Sequence, residues 1–230
     1  MRFERFRFLG GLTLFGVIAA ATWLGFRAQV VSAFTAKDFD LVILNGRVID
    51  PESKLDAIRH LGISNGKIAA VSAKPLTGRQ TVDAKGLVVA PGFIDLHEHG
   101  QIPENYRAQA MDGVTSSFEL EVGTADVDRW YSEREGKSLV NFGVSIGHIP
   151  VRMVVMGDKG DWLPSGEAIS RVASETELAD LKKRIEHGLN RGAVAVGFGP
   201  AYTPAATAWE IQEMFRVAAK YNASCHVHMR

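Results

Sequence analysis

Pro91-Gly92-Phe93-Ile94-Asp95-Leu96-His97-Glu98-His99-Gly100 is the stretch from which the rest of the chain can be read. An apolar run from Gly86 to Leu96 ends in two histidines spaced i, i+2. Side chains two apart on a strand point to the same face. At the end of such a strand, His97 and His99 can hold one cation between them, and neutral imidazole is the commonest protein ligand for a transition metal. Pro91-Gly92 punctuates the chain before the strand and Gly100 releases it afterwards. Glu98 points the other way, which separates this pattern from the i, i+4 histidines of a metalloprotease helix. Histidines that only pack or meet solvent are the plain alternative, so neighbouring segments must decide.

Downstream of Phe93, strands alternate with helices, which predicts βα units and a parallel sheet. The strands are read at Phe93–His99, Gly113–Glu121, Phe142–Val151, Ala193–Phe198 and Ser224–Met229. Ser174-Glu175-Thr176-Glu177 is a capping box before Leu178, Leu181, Ile185 and Leu189, one apolar face at helical spacing. Thr207-Ala208-Trp209-Glu210 reads as a second capping box, opening a helix to about Tyr221. No internal repeat or low-complexity tract interrupts the pattern.

Ionisable residues gather at the ends of these strands. His97 and His99 end the first, Glu119 and Glu121 the second, His148 the third, His226 and His228 the fifth. A barrel interior is normally filled by Val, Ile and Leu, and its chemistry sits at the C-terminal strand ends. A metal site therefore explains the cluster better than packing does. A carboxylate on an apolar strand must be paired or metal-bound. Glu121 lies nearer the strand end and is the preferred ligand, placed to bridge two cations; Glu119 is the alternative, as is a bond from either to backbone or Arg129. His228 suits a strand-five ligand. His226 shares its face but lies deeper, as a hydrogen-bonded core residue. His148 is read either as a substrate contact or as structural.

Upstream of the histidines the sequence changes character. Arg2, Arg5 and Arg7 precede an uncharged apolar run from Phe8 to Phe26, and Val31-Ser32-Ala33 fits a cleavage site. Residues 1–33 are expected to be a signal peptide or membrane anchor, with the protein exported, periplasmic or otherwise extracytoplasmic. Membrane contact is expected only through that leader. In residues 34–90, Asn45-Gly46 and Asn65-Gly66 each separate two apolar runs. Both signal type I′ hairpins, and together they suggest a small β-sandwich. Residues 91–230 hold the βα units. The 230 residues include 26 basic and 26 acidic side chains, a balance that gives no argument for nucleic acid. The single cysteine, Cys225, excludes an intrachain disulfide and reads as a buried structural thiol.

The phrase Pro-Gly-Phe-Ile-Asp-Leu-His-x-His-Gly resembles the first barrel strand of the amidohydrolase superfamily. Asp112-Gly113-Val114-Thr115 follows, then Gly147-His148 with Arg152 four residues on, then Tyr202 after a Gly-rich strand, then His228-Met229-Arg230. This order is similar to the D-aminoacylase branch, the N-acyl-D-amino-acid deacylases. The resemblance implies an α/β fold with a metal-dependent (β/α)8 TIM-like barrel, here truncated after about strand five, and a composite sandwich. A whole barrel takes about 250 residues by itself. It also implies one or two divalent cations, Zn2+ foremost, held by His97, His99, Glu121 and His228. The expected substrate is a small N-acyl amino acid whose amide is hydrolysed, contacted by Tyr202, His148 and Arg230. The general base would be an aspartate ending strand eight, beyond this sequence. A cyclic-amide or dipeptide hydrolase of the same superfamily is the enzymatic alternative, and an inactive metal-binding fragment the other. One departure stands out. The branch places a cysteine ligand just after strand two, where this chain has Glu119-Leu120-Glu121, a harder oxygen donor that shifts metal preference.

Overall fold

The structure, a computed structural model, describes residues 39–229. The expected leader and Arg230 lie outside the described residues. The chain divides into two compact units on either side of Ala90 and Pro91.

The first unit is one five-stranded sheet. Strand β1 (Phe39–Asp50) pairs antiparallel with β2 (Leu55–Ser64), which pairs antiparallel with β3 (Lys67–Ser72). The other edge of β1 runs parallel to β4 (Gly78–Asp83) and then β5 (Val88–Val89). Asn65-Gly66 is the hairpin turn between β2 and β3, with φ of 52° and 71°. Asn45-Gly46 is not a turn, contrary to expectation. β1 passes straight through it, and the register with β2 slips between Ile43 and Gly46. Asn tolerates the left-handed φ of 63° that such a bulge demands. A Cβ on Gly46 would stand 2.5 Å from Val89, so β5 can lie close only because position 46 lacks a side chain. The chain turns instead after Asp50, whose carboxylate accepts from the Glu52 and Ser53 amides at 3.1 and 3.3 Å. Among the described residues this unit makes a single layer.

The second unit is α/β. In order it contains β6 (Phe93–Asp95), α1 (Pro103–Met111), β7 (Val114–Thr124), α2 (Val127–Arg134), β8 (Asn141–Gly147), α3 (His148–Met156), α4 (Glu167–Ser170), α5 (Glu175–Asn190), β9 (Ala195–Phe198), α6 (Ala208–Lys220) and β10 (Ser224–Val227). All five strands are parallel, and their spatial order follows their sequence order. Every strand therefore ends on the same rim of the sheet. Val144, Ile146, Val196 and Phe198 from the strands pack against Leu181 and Ile185 of α5 and Met214 and Val217 of α6. The α5 capping box is complete: Ser174 accepts from the Glu177 amide, and the Glu177 carboxylate accepts from the Ser174 amide. No described helix is long and apolar enough to cross a membrane.

Strand ends and one cap depart from expectation. β6 ends at Asp95, because the Asp95 carboxylate accepts from the His97 amide at 3.0 Å and turns the chain. His97 and His99 thus follow the strand instead of lying on it, although the Glu98 amide still reaches the Phe118 carbonyl at 3.1 Å. β8 ends at Gly147 and a helix starts at His148, where the strand was expected to run to Val151. Pro150 reads as a strand breaker, but in a first helical turn its missing N–H is not needed. On α6, Thr207 accepts from the Glu210 amide, yet the Glu210 carboxylate turns inward and leaves the second capping box half made.

Candidate metal centre

Four of the expected site residues meet at the strand ends around one carboxylate. Glu121 Oε2 lies 2.8 Å from His97 Nε2 and 3.4 Å from His99 Nε2, and Glu121 Oε1 lies 2.7 Å from His228 Nδ1. One potential ligand atom from each of His97, His99 and Glu121 falls within 4.8 Å of the others. His228 reaches the site because its amide donates to the Phe198 carbonyl at 2.9 Å, one step past the end of β10. Glu121 is carried in by a bulge, where the register of β7 against β8 breaks between Glu119 and Thr124. Bulges re-aim side chains in this way beside functional sites. The bulged backbone rests on two glycines: a Cβ on Gly147 would lie 1.8 Å from the Val122 carbonyl, and one on Gly197 2.2 Å from that of Glu121.

Glu119 supports the same site. Its Oε2 accepts from His99 Nδ1 at 2.7 Å, and its Oε1 from the Val122 and Gly123 amides at 3.2 and 3.3 Å. Glu119 thus bonds both backbone and His99. Arg129 pairs with Glu133 instead. Burial pushes the His99 pKa down, but Glu119 and then Glu121 outweigh it and hold His99 above its ordinary value.

The donor set fits a divalent cation. Glu119 and Glu121 are 6 % and 5 % exposed, and their only ion-pair partners among the described residues are histidines. Two buried carboxylates without a lysine or arginine carry uncompensated charge, which is costly unless a cation supplies the balance. Imidazole nitrogens and carboxylate oxygens are the donors that zinc takes.

The remaining expectations separate. Tyr202 stands at the site, its ring 4.9 Å from that of His228. His148 is corrected: it is fully buried, so it cannot touch a substrate. Its Nε2 lies 2.8 Å from Glu210 Oε1, and the same oxygen takes the Arg152 guanidinium. Arg152, also fully buried, donates its Nε–H to the Ala168 carbonyl at 2.9 Å and Nη2–H to that of Arg171. This knot ties α3, α4 and α6 together below the rim. His226 is half-buried and bonds Ser224 at 3.1 Å; burial, then His97, push its pKa down. Glu98 is half-buried, and Cys225 is half-buried with its thiol pKa raised by burial. Sequence reasoning missed Trp162, whose ring meets His99 edge-on at 5.2 Å from the loop after α3. It also missed Glu210, which was read only as a capping residue. No periodicity marks a loop tryptophan as a site residue.

Residues 80–143 match the family described as amidohydrolase. A D-aminoacylase of Alcaligenes xylosoxydans xylosoxydans is 28% identical over 87% of this chain and 46% of its own length. Over most of its length the chain is therefore similar to amidohydrolases. A dihydroorotase of Streptococcus pneumoniae is 29% identical over 82% of this chain and 42% of its own. The chain thus spans less than half the length of these curated amidohydrolase relatives. The crystal structure of N-acyl-D-glutamate deacylase from Bordetella bronchiseptica, complexed with zinc and a phosphonate inhibitor, superposes with a TM-score of 0.71. At 23% identity, covering 84% of this chain and 46% of that one, this likeness shows a shared fold alone.

Proposed function

We propose that the chain carries the metal-binding part of a zinc-dependent hydrolase of carbon–nitrogen amide bonds, resembling the N-acyl-D-amino-acid deacylases. The observation that carries the reading is the buried Glu121 carboxylate ringed by His97, His99 and His228, with Glu119 behind His99. These residues would hold the cation, through His97, His99, Glu121 and His228. A cation so held supplies Lewis acidity, which polarises a carbonyl and acidifies water. The protein's own part is positional. Glu119 accepts the Nδ1–H of His99, which would leave Nε2 as the cation's donor beside Glu121. Trp162 meets one edge of His99 and Tyr202 flanks His228. Tyr202 would also line a substrate.

In this reading the five parallel strands are the first five of an eight-stranded barrel, and residues 34–90 belong to a composite sandwich. The supporting observations are the sequential parallel strand order and the share of the relatives that is matched. The basic, then apolar, N-terminal sequence supports export. A cyclic-amide hydrolase is the second reading, favoured by the dihydroorotase match of similar extent. The test is a zinc-loaded protein offered N-acetyl-D-amino acids and dihydroorotate in parallel. Release of free amino acid supports the deacylase and ring opening the alternative. Zinc bound stoichiometrically with neither product leaves only a metal-binding module.

A further inference from the structure

Beside His99 and Glu119 lies a pocket of about 530 Å3 lined also by Gln101, Trp130, Arg134 and Trp162. Two donor atoms there have no partner among the described residues. Gln101 is 4 % exposed, and the Tyr106 hydroxyl donates to its Oε1 at 2.9 Å. That bond fixes the amide and leaves Nε2, which has no partner among the described residues. Arg134 lies with its guanidinium 3.9 Å over the Trp130 ring and donates Nη1–H to the Trp130 carbonyl at 2.9 Å. Its Nε is buried and likewise unpartnered. The nearest counter-charge is Glu133, at a loose 3.6 Å. Glu119 cannot serve, because its oxygens are taken by His99 and by two amides. Buried donors without acceptors are costly, and a guanidinium beside an amide N–H2 matches a carboxylate.

We propose that this pocket receives a carboxylate-ended arm of the ligand. Arg134 and Gln101 are the specificity-determining residues, and the indoles of Trp130 and Trp162 flank the arm's apolar length. Calling that ligand a substrate rests on the hydrolase reading; the binding claim does not. The carboxylate can end either an amino-acid side chain or a dicarboxylic acyl group, and matched probes separate the two. Zinc-loaded protein is titrated calorimetrically with N-acetyl-D-glutamate against N-acetyl-D-glutamine, and with N-succinyl-D-alanine against N-butanoyl-D-alanine.

One acidic probe of the two pairs is expected to bind at least about 10-fold tighter than its neutral partner, the order of a charge-assisted bidentate contact. Arg134→Met should close that gap to within about 3-fold, Arg134→Lys should keep part of it, and Gln101→Leu should narrow it. Circular dichroism checks each variant, and the lysine and leucine variants carry the test if Arg134→Met does not fold. No gap in either pair, or a gap that survives both the Arg134 and the Gln101 substitutions, overturns the proposal. A gap without hydrolysis keeps the subsite and rejects the hydrolase reading, whereas hydrolysis without a gap does the reverse.

Discussion

Glu119→Gln isolates the part of the site that acts through another residue. Glu119 holds the Nδ1–H of His99 at 2.7 Å and two backbone amides with its other oxygen. A glutamine can keep the amides through Oε1, but it then presents N–H2 to His99. The imidazole must answer by accepting at Nδ1, which moves its own proton to Nε2, the nitrogen that faces Glu121. Zinc must then displace that proton or select the disfavoured tautomer. Loss of a partner of this kind typically costs about 10- to 100-fold in metal affinity, or about 1.4–2.7 kcal/mol. Glu121→Gln removes the carboxylate that touches three histidines and should cost more. The measurement is competition for zinc against a chromophoric chelator, at neutral pH, with circular dichroism to confirm folding. An unchanged affinity for Glu119→Gln would sink the tautomer argument. A loss as large as that of Glu121→Gln would mean that Glu119 is itself a ligand.

Replacing His97 and His99 together by alanine should abolish stoichiometric zinc, read by elemental analysis of dialysed protein; undiminished metal would remove the site. Arg152→Met should cost about 3–5 kcal/mol in urea unfolding, because it strands the buried Glu210 carboxylate. Arg152→Met with Glu210→Leu should recover most of that, and a double variant no better than the single would show the knot is not electrostatic. Asp158 accepts four backbone amides in the loop that carries Trp162, and those bonds, that from Ser165 foremost, hold its pKa at about 2 against 3.8. Its folded pKa is depressed, so its stabilisation is full above pH 3.8 and is lost as pH falls toward about 2. Asp158→Asn should therefore lower the urea midpoint at pH 7 and bring it close to wild type near pH 2; a constant gap across that range would refute the assignment.

The chain's local patterns carried most of the architecture. Leu178, Leu181, Ile185 and Leu189 mark the face of α5 by spacing alone, and Ser174 with Glu177 marks its start, because caps and helical periodicity are short-range. Asn65-Gly66 forms its turn because two adjacent residues must take positive φ. Asn45-Gly46 offers the same local signal, yet it became a bulge, because the strand continues into pairing with β5 some 40 residues away. His148 shows the same limit. Its place near a strand end suggested the rim, and only the packing of α6 supplies the Glu210 that joins it to Arg152.

By itself the sequence determined that strands alternate with helices and that chemistry-bearing residues fall at or just past strand ends. Those features depend on backbone period and on residues near in the chain. Tertiary structure alone decided that Glu121 stands among His97, His99 and His228, more than 100 residues apart in the last case, and that Glu119 backs His99. It also brought Trp162, Gln101 and Arg134 to one pocket. Parallel strands in sequential order turn separate strand ends into one rim, and no local pattern encodes which side chains a bulge then turns toward one another.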